Sequence, residues 1–148
     1  MAIRTPYAED VEQGTELPTL VKEPISRVQI AKYAGASGDF NPLHVDEEYA
    51  TTKAGFKSVI AHGMLSMGIL GQFVTNWLGD PRLLKKISVQ FRGNVFPGDV
   101  LTCKGLVAHR YRSEGQELAD CDIHVENQSG EKVTVGMATV ILQTRGRS

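Results

Sequence analysis

Residues 63–78 read GMLSMGILGQFVTNWL, and this stretch decides the fold of the chain. Its apolar side chains recur at three- and four-residue steps, the period of one face of an α-helix: Met64, Met67, Leu70, Phe73, Val74, Trp77 and Leu78. Gly68 and Gly71 are poor helix formers, but they permit close approach to a sheet or a partner helix. Gly79-Asp80-Pro81 then ends the pattern. We predict a long helix from Gly63 to Leu78 whose apolar stripe must be covered.

Strand patterns follow this helix and can cover it. Lys86–Phe91, Val100–Arg112 and Lys132–Gln143 read as strands, and Asn127–Gly130 supplies a hairpin connection. Between them, apolar residues alternate with polar ones as in a half-buried strand: Ala119, Cys121, Ile123 and Val125. A long helix followed by antiparallel strands is an α+β layout. We expect a curved antiparallel sheet wrapped around the central helix.

Shorter elements precede the long helix. Gly14–Pro24 reads as a turn and a short strand. Ser26 and Gln29 form a capping-box pattern that opens a helix from Arg27 to Ala34, which Gly35 ends. Asp46–Ala50 starts another short helix with its acidic residues at the positive end.

The loop between these two short helices carries the first chemical motif. Asp39 and His44 lie five residues apart with the pair Asn41-Pro42 between them. Asn-Pro favours a turn, because proline fixes its own φ and restricts the residue before it. Such a turn can aim a carboxylate and an imidazole at one water molecule. The alternative is that Asp39 only caps a turn and His44 is an ordinary polar residue.

The second motif is Ile60–Gly68, and with the first it resembles the MaoC-like, (R)-specific enoyl-thioester hydratase and 3-hydroxyacyl-thioester dehydratase family. The family pattern is Ser-Gly-Asp-x-Asn-Pro-hydrophobic-His, then Ala-His-Gly-Met. All fixed positions are present here: Ser37, Gly38, Asp39, Asn41, Pro42, His44, Ala61, His62, Gly63 and Met64. The resemblance covers roughly residues 17–142 and includes 90–99. Residues 73–81 look like the catalytic beta subunit of the actinobacterial fatty-acid-synthase-II dehydratase.

The resemblance implies the hot-dog fold and reversible hydration of trans-2-enoyl thioesters to (R)-3-hydroxyacyl thioesters. Asp39 and His44 would then be catalytic and would hold one water. Gly63 begins the long helix, where the first backbone N–H groups have no partners inside the helix. We expect the Gly63 N–H to stabilise the oxyanion of the thioester; the alternative is that Gly63 serves only helix–sheet packing.

Three further residues are candidates for substrate binding. Asn41 either contacts substrate or makes a side-chain turn, and the turn is favoured. His62 either faces the substrate or is a hydrogen-bonded structural histidine, and the structural role is favoured. Ser66 either reaches the thioester or bonds back to its own helix. Met64 and Met67 are expected in the core rather than along an acyl tunnel.

Two other functions remain open on the same fold. One is an acyl-thioester hydrolase, but hot-dog hydrolases commonly carry an acidic residue on the central helix, and 63–78 has none. The other is a non-catalytic acyl-binding subunit of a dehydratase complex, which we would expect to lack the Asp39/His44 pair. The residues do not decide between CoA and acyl carrier protein as the thioester, and no bound cofactor is needed. Lys85, Lys86 and Arg92 either meet the phosphates or acidic face of such a carrier or are simply solvated.

Composition limits the remaining possibilities. The 148 residues are enough for one domain with a proper core, with a flexible tail at about 144–148. A net charge of −1 gives no support for nucleic-acid binding. We expect a cytoplasmic protein without membrane insertion, because residues 1–11 lack a signal peptide pattern and no apolar run is long enough. Cys103 and Cys121 read as reduced core thiols.

Two expectations concern ligands and partners. The four histidines show no metal-ligand spacing, so we expect no metal site. A single short domain of this layout leaves a sheet edge exposed, which is a pairing hazard unless it is covered. We therefore expect a homodimer, or a heterodimer with a related hot-dog subunit, with the sheet continuing across the interface.

Overall fold

A computed structural model describes residues 5–146 of the chain. One antiparallel sheet organises this part of the chain. Its strands are β1 (Leu20–Val21), β2 (Leu84–Phe91), β3 (Thr102–Ser113), β4 (Gln116–Glu126) and β5 (Lys132–Leu142). They lie in the order β1-β3-β4-β5-β2, and every neighbouring pair is antiparallel. Each predicted strand is present, with bounds that differ by a few residues. The predicted α+β layout is confirmed.

A helix of 16 residues, Gly63–Leu78, packs against this sheet and carries its core. Its bounds are those predicted from the apolar period. Gly79 ends it with φ 75, and the Gly79 N–H donates to the Thr75 carbonyl. Phe73 and Leu70 are buried against inward-facing residues of the sheet such as Cys121 and Val125. The position of this helix fixes where its N-terminus, and therefore Gly63, meets the rest of the chain.

The predicted placement of Met64 in the core is wrong. Met64 is 55% exposed, and the buried stripe instead begins at Ser66 and continues through Ile69 and Leu70. A helix turns about 100° per residue, so Met64 lies about 200° around the axis from Ser66 and faces away from the sheet. Met67 lies at the margin of the stripe and is half-buried.

The helices before the site are α1 (Arg27–Ser37) and α2 (Pro42–Val45), so the long helix Gly63–Leu78 is α3. The Ser26 hydroxyl accepts a hydrogen bond from the Gln29 N–H at 3.0 Å, which confirms the predicted cap. The predicted end of α1 at Gly35 is wrong. The helix continues to Ser37, and Gly38 ends it with φ 75 and donates its N–H to the Ala34 carbonyl. A left-handed φ is what glycine supplies at a helix end.

Asp46 begins a helical segment, as predicted, but the segment is not a regular α-helix. The Asp46 carboxylate accepts a hydrogen bond from the Tyr49 N–H at 3.1 Å, and residues Tyr49–Lys53 form a π-helical turn. This turn returns the chain to the extended segment before α3.

Cys103 and Cys121 are buried free thiols, as predicted. Burial raises the pKa of each thiol to about 12, so both stay protonated at neutral pH. No helix among residues 5–146 is long and apolar enough to cross a membrane.

The C-terminal residues Thr144–Gly146 carry no helix or strand, and Arg145 forms an ion pair with Asp10. The predictions for residues 1–4 and for the end of the tail, 147–148, lie outside the described residues.

Candidate active site

Side-chain hydrogen bonds shape the loop that carries Asp39. The Asp39 carboxylate accepts from the Asn41 N–H at 3.2 Å, and the Asn41 side-chain oxygen accepts from the Leu43 N–H at 3.1 Å. Asn41 thereby caps α2, with Pro42 in its first turn. The turn role of Asn41 is confirmed, and its contact with a substrate stays a prediction.

His44 lies on α2 and is held by the backbone of Ile60. Its Nδ1 lies 2.6 Å from the Ile60 carbonyl oxygen. A carbonyl can only accept, so Nδ1 carries the proton and, in a neutral ring, Nε2 keeps its lone pair. The Ile60 N–H in turn donates to the Leu43 carbonyl at 3.1 Å, so both backbone polar groups of Ile60 bind residues of α2.

The structure brings Asp39 and His44 together. The free Nε2 of His44 lies 3.9 Å from Oδ2 of Asp39. This is too long for a direct hydrogen bond. The imidazole is 11% exposed and the carboxylate 54% exposed, so the pair opens to solvent on the Asp39 side.

His62 lies directly beneath this pair. Its ring stacks on His44 with a centroid distance of 3.7 Å and an interplanar angle of 22°. Its Nε2 donates to the backbone carbonyl of Asp39 at 3.0 Å, and its exposure is 2%. Within residues 5–146, its buried Nδ1 has no hydrogen-bond partner. The favoured structural role of His62 agrees with these contacts; contact with a substrate stays a prediction.

The N-terminus of α3 adjoins the same space. Gly63 is its first residue, and the His62 side chain at the cap position makes no hydrogen bond to the helix. A Cβ on Gly63 would lie 3.1 Å from the ring of Phe91. The absent side chain therefore leaves room for the Phe91 ring, and it leaves the first N–H of the helix uncovered.

A cavity of about 210 Å³ extends from His44, and its lining includes Gly63, Ser66, Phe91, Val95 and Thr134. Ser66 and Thr134 are polar residues in this otherwise largely apolar lining, with exposures of 2% and 1%. Sequence reasoning named Ser66 but missed Thr134. A threonine in a strand gives no signal by itself, because threonine is a common strand residue.

Larger concavities lie elsewhere on the sheet, around Asp122 and His124, with volumes of about 500 and 580 Å³. They share no lining residue with the cavity at His44. We assign the site to the smaller cavity, because its lining includes the His44 imidazole and the helix N-terminus at Gly63, and His44 in turn lies beside the Asp39 carboxylate.

One ligand atom from each of Asp39, His44 and His62 lies within 4.8 Å of the others. The residues fit a metal ion poorly, since Nε2 of His62 already donates to a carbonyl and its Nδ1 is buried. Two stacked rings also direct their in-plane lone pairs along parallel planes rather than at one point. The absence of a metal site stays a prediction.

The basic residues of β2 do not join this group. Lys85 and Lys86 are exposed on the strand, and Arg92 just after it donates to the Gln90 side chain at 3.0 Å. A role in binding a phosphate or a carrier protein stays a prediction.

Comparison with known proteins identifies the family. Residues 10–130 match the family model described as MaoC like domain, so the chain belongs to the MaoC-like domain family. The chain is 35% identical over 145 residues to the (R)-specific enoyl-CoA hydratase of Rhodospirillum rubrum, covering 95% of this chain and 94% of that protein. It is 32% identical over 107 residues to the 3-hydroxybutyryl-CoA dehydratase of Methylorubrum extorquens, covering 72% of this chain and 66% of that protein.

A solved structure gives the same result for the fold. The unliganded R-hydratase PhaJ1 of Pseudomonas aeruginosa superposes with a TM-score of 0.83 at 27% identity, over 95% of this chain and 88% of that one. The predicted hot-dog fold is confirmed. Several other relatives are much longer proteins, and the chain spans 5% to 11% of their length. The finer likeness to a beta subunit of a dehydratase complex stays a prediction.

Proposed function

We propose that this protein catalyses the reversible hydration of trans-2-enoyl thioesters to (R)-3-hydroxyacyl thioesters. The observation that carries the proposal is the gap of 3.9 Å between His44 Nε2 and Asp39 Oδ2. One water oxygen can lie about 2.8 Å from both atoms and bridge them at an angle close to a right angle.

The hydrogen bonds of His44 orient such a water. Its Nδ1 proton is engaged with the Ile60 carbonyl, so Nε2 accepts, and a carboxylate also accepts. A water between them donates both its hydrogens to the dyad. The lone pairs of its oxygen are then directed away from the two acceptors and are free to attack a substrate.

The reaction needs one proton transfer in each direction. The water oxygen forms a bond to C3 of the enoyl thioester while the dyad takes one water proton. The electron pair of the C2–C3 double bond moves towards the thioester carbonyl, and C2 then receives a proton from the dyad. The two groups act as a coupled unit, and we assign the proton to the pair rather than to one member.

The developing negative charge on the thioester oxygen needs a donor. We assign this role to the Gly63 N–H, because a helix N-terminus combines an unpaired N–H group with the positive end of the helix dipole. Ser66, four positions into the helix and lining the same cavity, is placed to contact the thioester or the acyl chain.

The substrate handle is either CoA or an acyl carrier protein, and no further cofactor is required for this chemistry. Relatives named as CoA-thioester hydratases and dehydratases favour CoA. The hydrolase alternative is less favoured, because α3 carries no acidic residue along its length. The acyl-binding subunit alternative is less favoured because the dyad residues are present and close together.

The protein is expected to act as a dimer in the cytoplasm. β2 is an edge strand that pairs with β5 on one side only, and Phe91 at its end and Met64 on α3 are about half exposed. A second hot-dog chain, identical or related, would continue the sheet past β2 and cover these side chains. The buried free thiols suit a reducing compartment.

The deciding experiment is a hydration assay with trans-2-enoyl thioesters from crotonyl to long chains. The loss of the conjugated double bond is followed, and the product is coupled to dehydrogenases specific for each enantiomer. We expect turnover that yields the (R) product. An (S) product, or release of free thiol from a saturated acyl thioester, would contradict the proposal. The assay is repeated with candidate partner subunits, because this chain would be inactive alone if it works only as part of a heterodimer.

A further inference from the structure

We propose that His62 is a positioning residue that holds both members of the dyad in place. Its ring stacks on His44 while its Nε2–H binds the backbone carbonyl of Asp39. One buried side chain thus contacts the reacting ring of His44 and the backbone that carries the Asp39 carboxylate. This inference rests on the proposed hydration, but its contacts can be tested without substrate.

The environment of His62 shows why its ring is immobile. The ring also packs near Tyr33 of α1, with ring centroids 4.8 Å apart and tilted by 60°. His62 itself is the residue at the cap position of α3, so its backbone is fixed by the longest helix of the fold. A ring held by α1, α3 and the Asp39 loop is a rigid support for the less firmly built α2.

The hydrogen-bonding state of the ring follows from its partners. Nε2 faces a carbonyl and must carry a proton, whereas Nδ1 is buried without a partner among the described residues. A second proton on Nδ1 would create a buried, unpaired N–H on a charged ring, which is costly. Two positively charged rings 3.7 Å apart would also repel each other. These contacts accommodate the tautomer of His62 that carries its proton on Nε2.

Two variants separate these contacts. His62→Phe keeps a flat ring under His44 and removes the Nε2–H bond to Asp39. His62→Gln keeps a donor of similar reach and removes the stacked ring. We expect kcat to fall about 10- to 100-fold in each variant, because small misplacements of reacting groups are costly, while KM stays within about twofold. Tyr33→Phe is the matched control, since it keeps an aromatic ring beside His62, and its kcat should match the parent.

Nuclear magnetic resonance supplies a readout that a purely structural role would not give. Nitrogen-15 spectra of the imidazoles in the parent protein should show His62 protonated at Nε2 and His44 protonated at Nδ1. In His62→Phe the backbone amide of Asp39 should become more mobile while the His44 tautomer is retained. In His62→Gln the His44 tautomer should become mixed while Asp39 stays ordered.

The outcomes are distinguishable. A parent spectrum with the His62 proton on Nδ1 would overturn the inference even if both variants fail to fold. Folded variants with unchanged kcat, or with unchanged Asp39 and His44 signals, would overturn it as well. Failure of the parent to hydrate any enoyl thioester would reject the proposed function, whereas the spectra would still decide whether His62 positions the pair.

Discussion

The segment from Asp39 to His62 and the scaffold from Gly63 to Leu142 are held together by different forces. The scaffold has a continuous apolar core in which Leu70, Val107 and Val140 have no exposed surface. The segment instead depends on single hydrogen bonds from side chains to distant backbone groups. Nδ1 of His44 donates to Ile60, and Nε2 of His62 donates to the carbonyl of Asp39.

This difference separates stability from catalysis within one domain. Burial is distributed over many side chains, so the scaffold sets the free energy of unfolding. The segment adds only Ala50, Val59, Ile60 and Ala61 to the buried apolar residues, so changes at its polar side chains alter geometry more than stability. The residues proposed to act chemically lie in the segment, and the scaffold supplies the helix N-terminus next to them.

The sharpest way to test this separation is to remove the dyad. Asp39→Asn and His44→Ala should each lower kcat by on the order of 10²–10⁴, the usual loss when a general acid–base group is removed. Asp39 is exposed, and asparagine can still accept the Asn41 hydrogen bond. We therefore expect Asp39→Asn to have a melting temperature close to that of the parent, measured by calorimetry beside the hydration assay.

The matched controls for the dyad are Asp122→Asn and His109→Ala. Both residues are exposed on the sheet and lie outside the lining of the His44 cavity. Their kcat should equal that of the parent. Near-parent turnover in either dyad variant would remove the basis of the proposed mechanism.

The converse change is made in the scaffold. Phe73 is 1% exposed, and Phe73→Ala should lower the free energy of unfolding by about 3–5 kcal/mol through lost burial and a cavity. The kcat per folded molecule should stay within about twofold. Denaturant titration and the hydration assay below the melting transition measure the two effects. Met137→Ala on the exposed face is the control, with an expected change below about 0.5 kcal/mol.

The same division explains what the sequence could predict. The apolar period of α3 and the alternation around Cys121 depend on burial, which leaves a regular pattern, so these elements were located closely. The apolar period predicts less well which residues of α3 face the sheet: Met64 is expected in the core, but its side chain is exposed. The Asn-Pro turn and the family motifs, rather than periodicity, predict the Asp39/His44 pair.

The contacts that align the dyad could not be predicted. His44 binds the backbone carbonyl of Ile60, 16 residues later in the chain, and His62 binds that of Asp39, 23 residues earlier. The turns between these residues follow no regular period. A stacked pair of histidines also leaves no spacing signal, because the two rings lie on different elements. Even the end of α1 depended on which glycine, Gly35 or Gly38, takes the left-handed conformation.

The boundary between the two regions is Gly63, and its N–H can be removed with little change in the fold. Gly63→Pro deletes this donor at the first helical position, where proline is favoured, and His62 already has the extended backbone that proline requires. Gly63→Ala adds a Cβ against the same Phe91 ring but keeps the N–H. If the N–H binds the oxyanion, the proline variant should have kcat/KM about 10²–10³ lower than the alanine variant.

Equal activity of these two variants would mean that the N–H is not used. The double variant Gly63→Ala/Phe91→Ala tests the alternative packing role. Recovery of parent activity by the second substitution would show that the glycine is needed to accommodate the Phe91 ring.

The smallest expected effect concerns Ser66, a buried polar residue of the scaffold that lines the cavity of the active segment. If its hydroxyl binds the substrate, Ser66→Ala loses one hydrogen bond worth about 0.5–1.5 kcal/mol, which lowers kcat/KM about 2- to 12-fold. The melting temperature should change little, because alanine is a good helix former and only one oxygen is removed. Ser129→Ala, in the exposed turn between β4 and β5, controls for loss of a serine elsewhere. A fall in stability with unchanged kinetics would mean that Ser66 serves only the core. The groups that act on the substrate would then be the dyad and the Gly63 N–H.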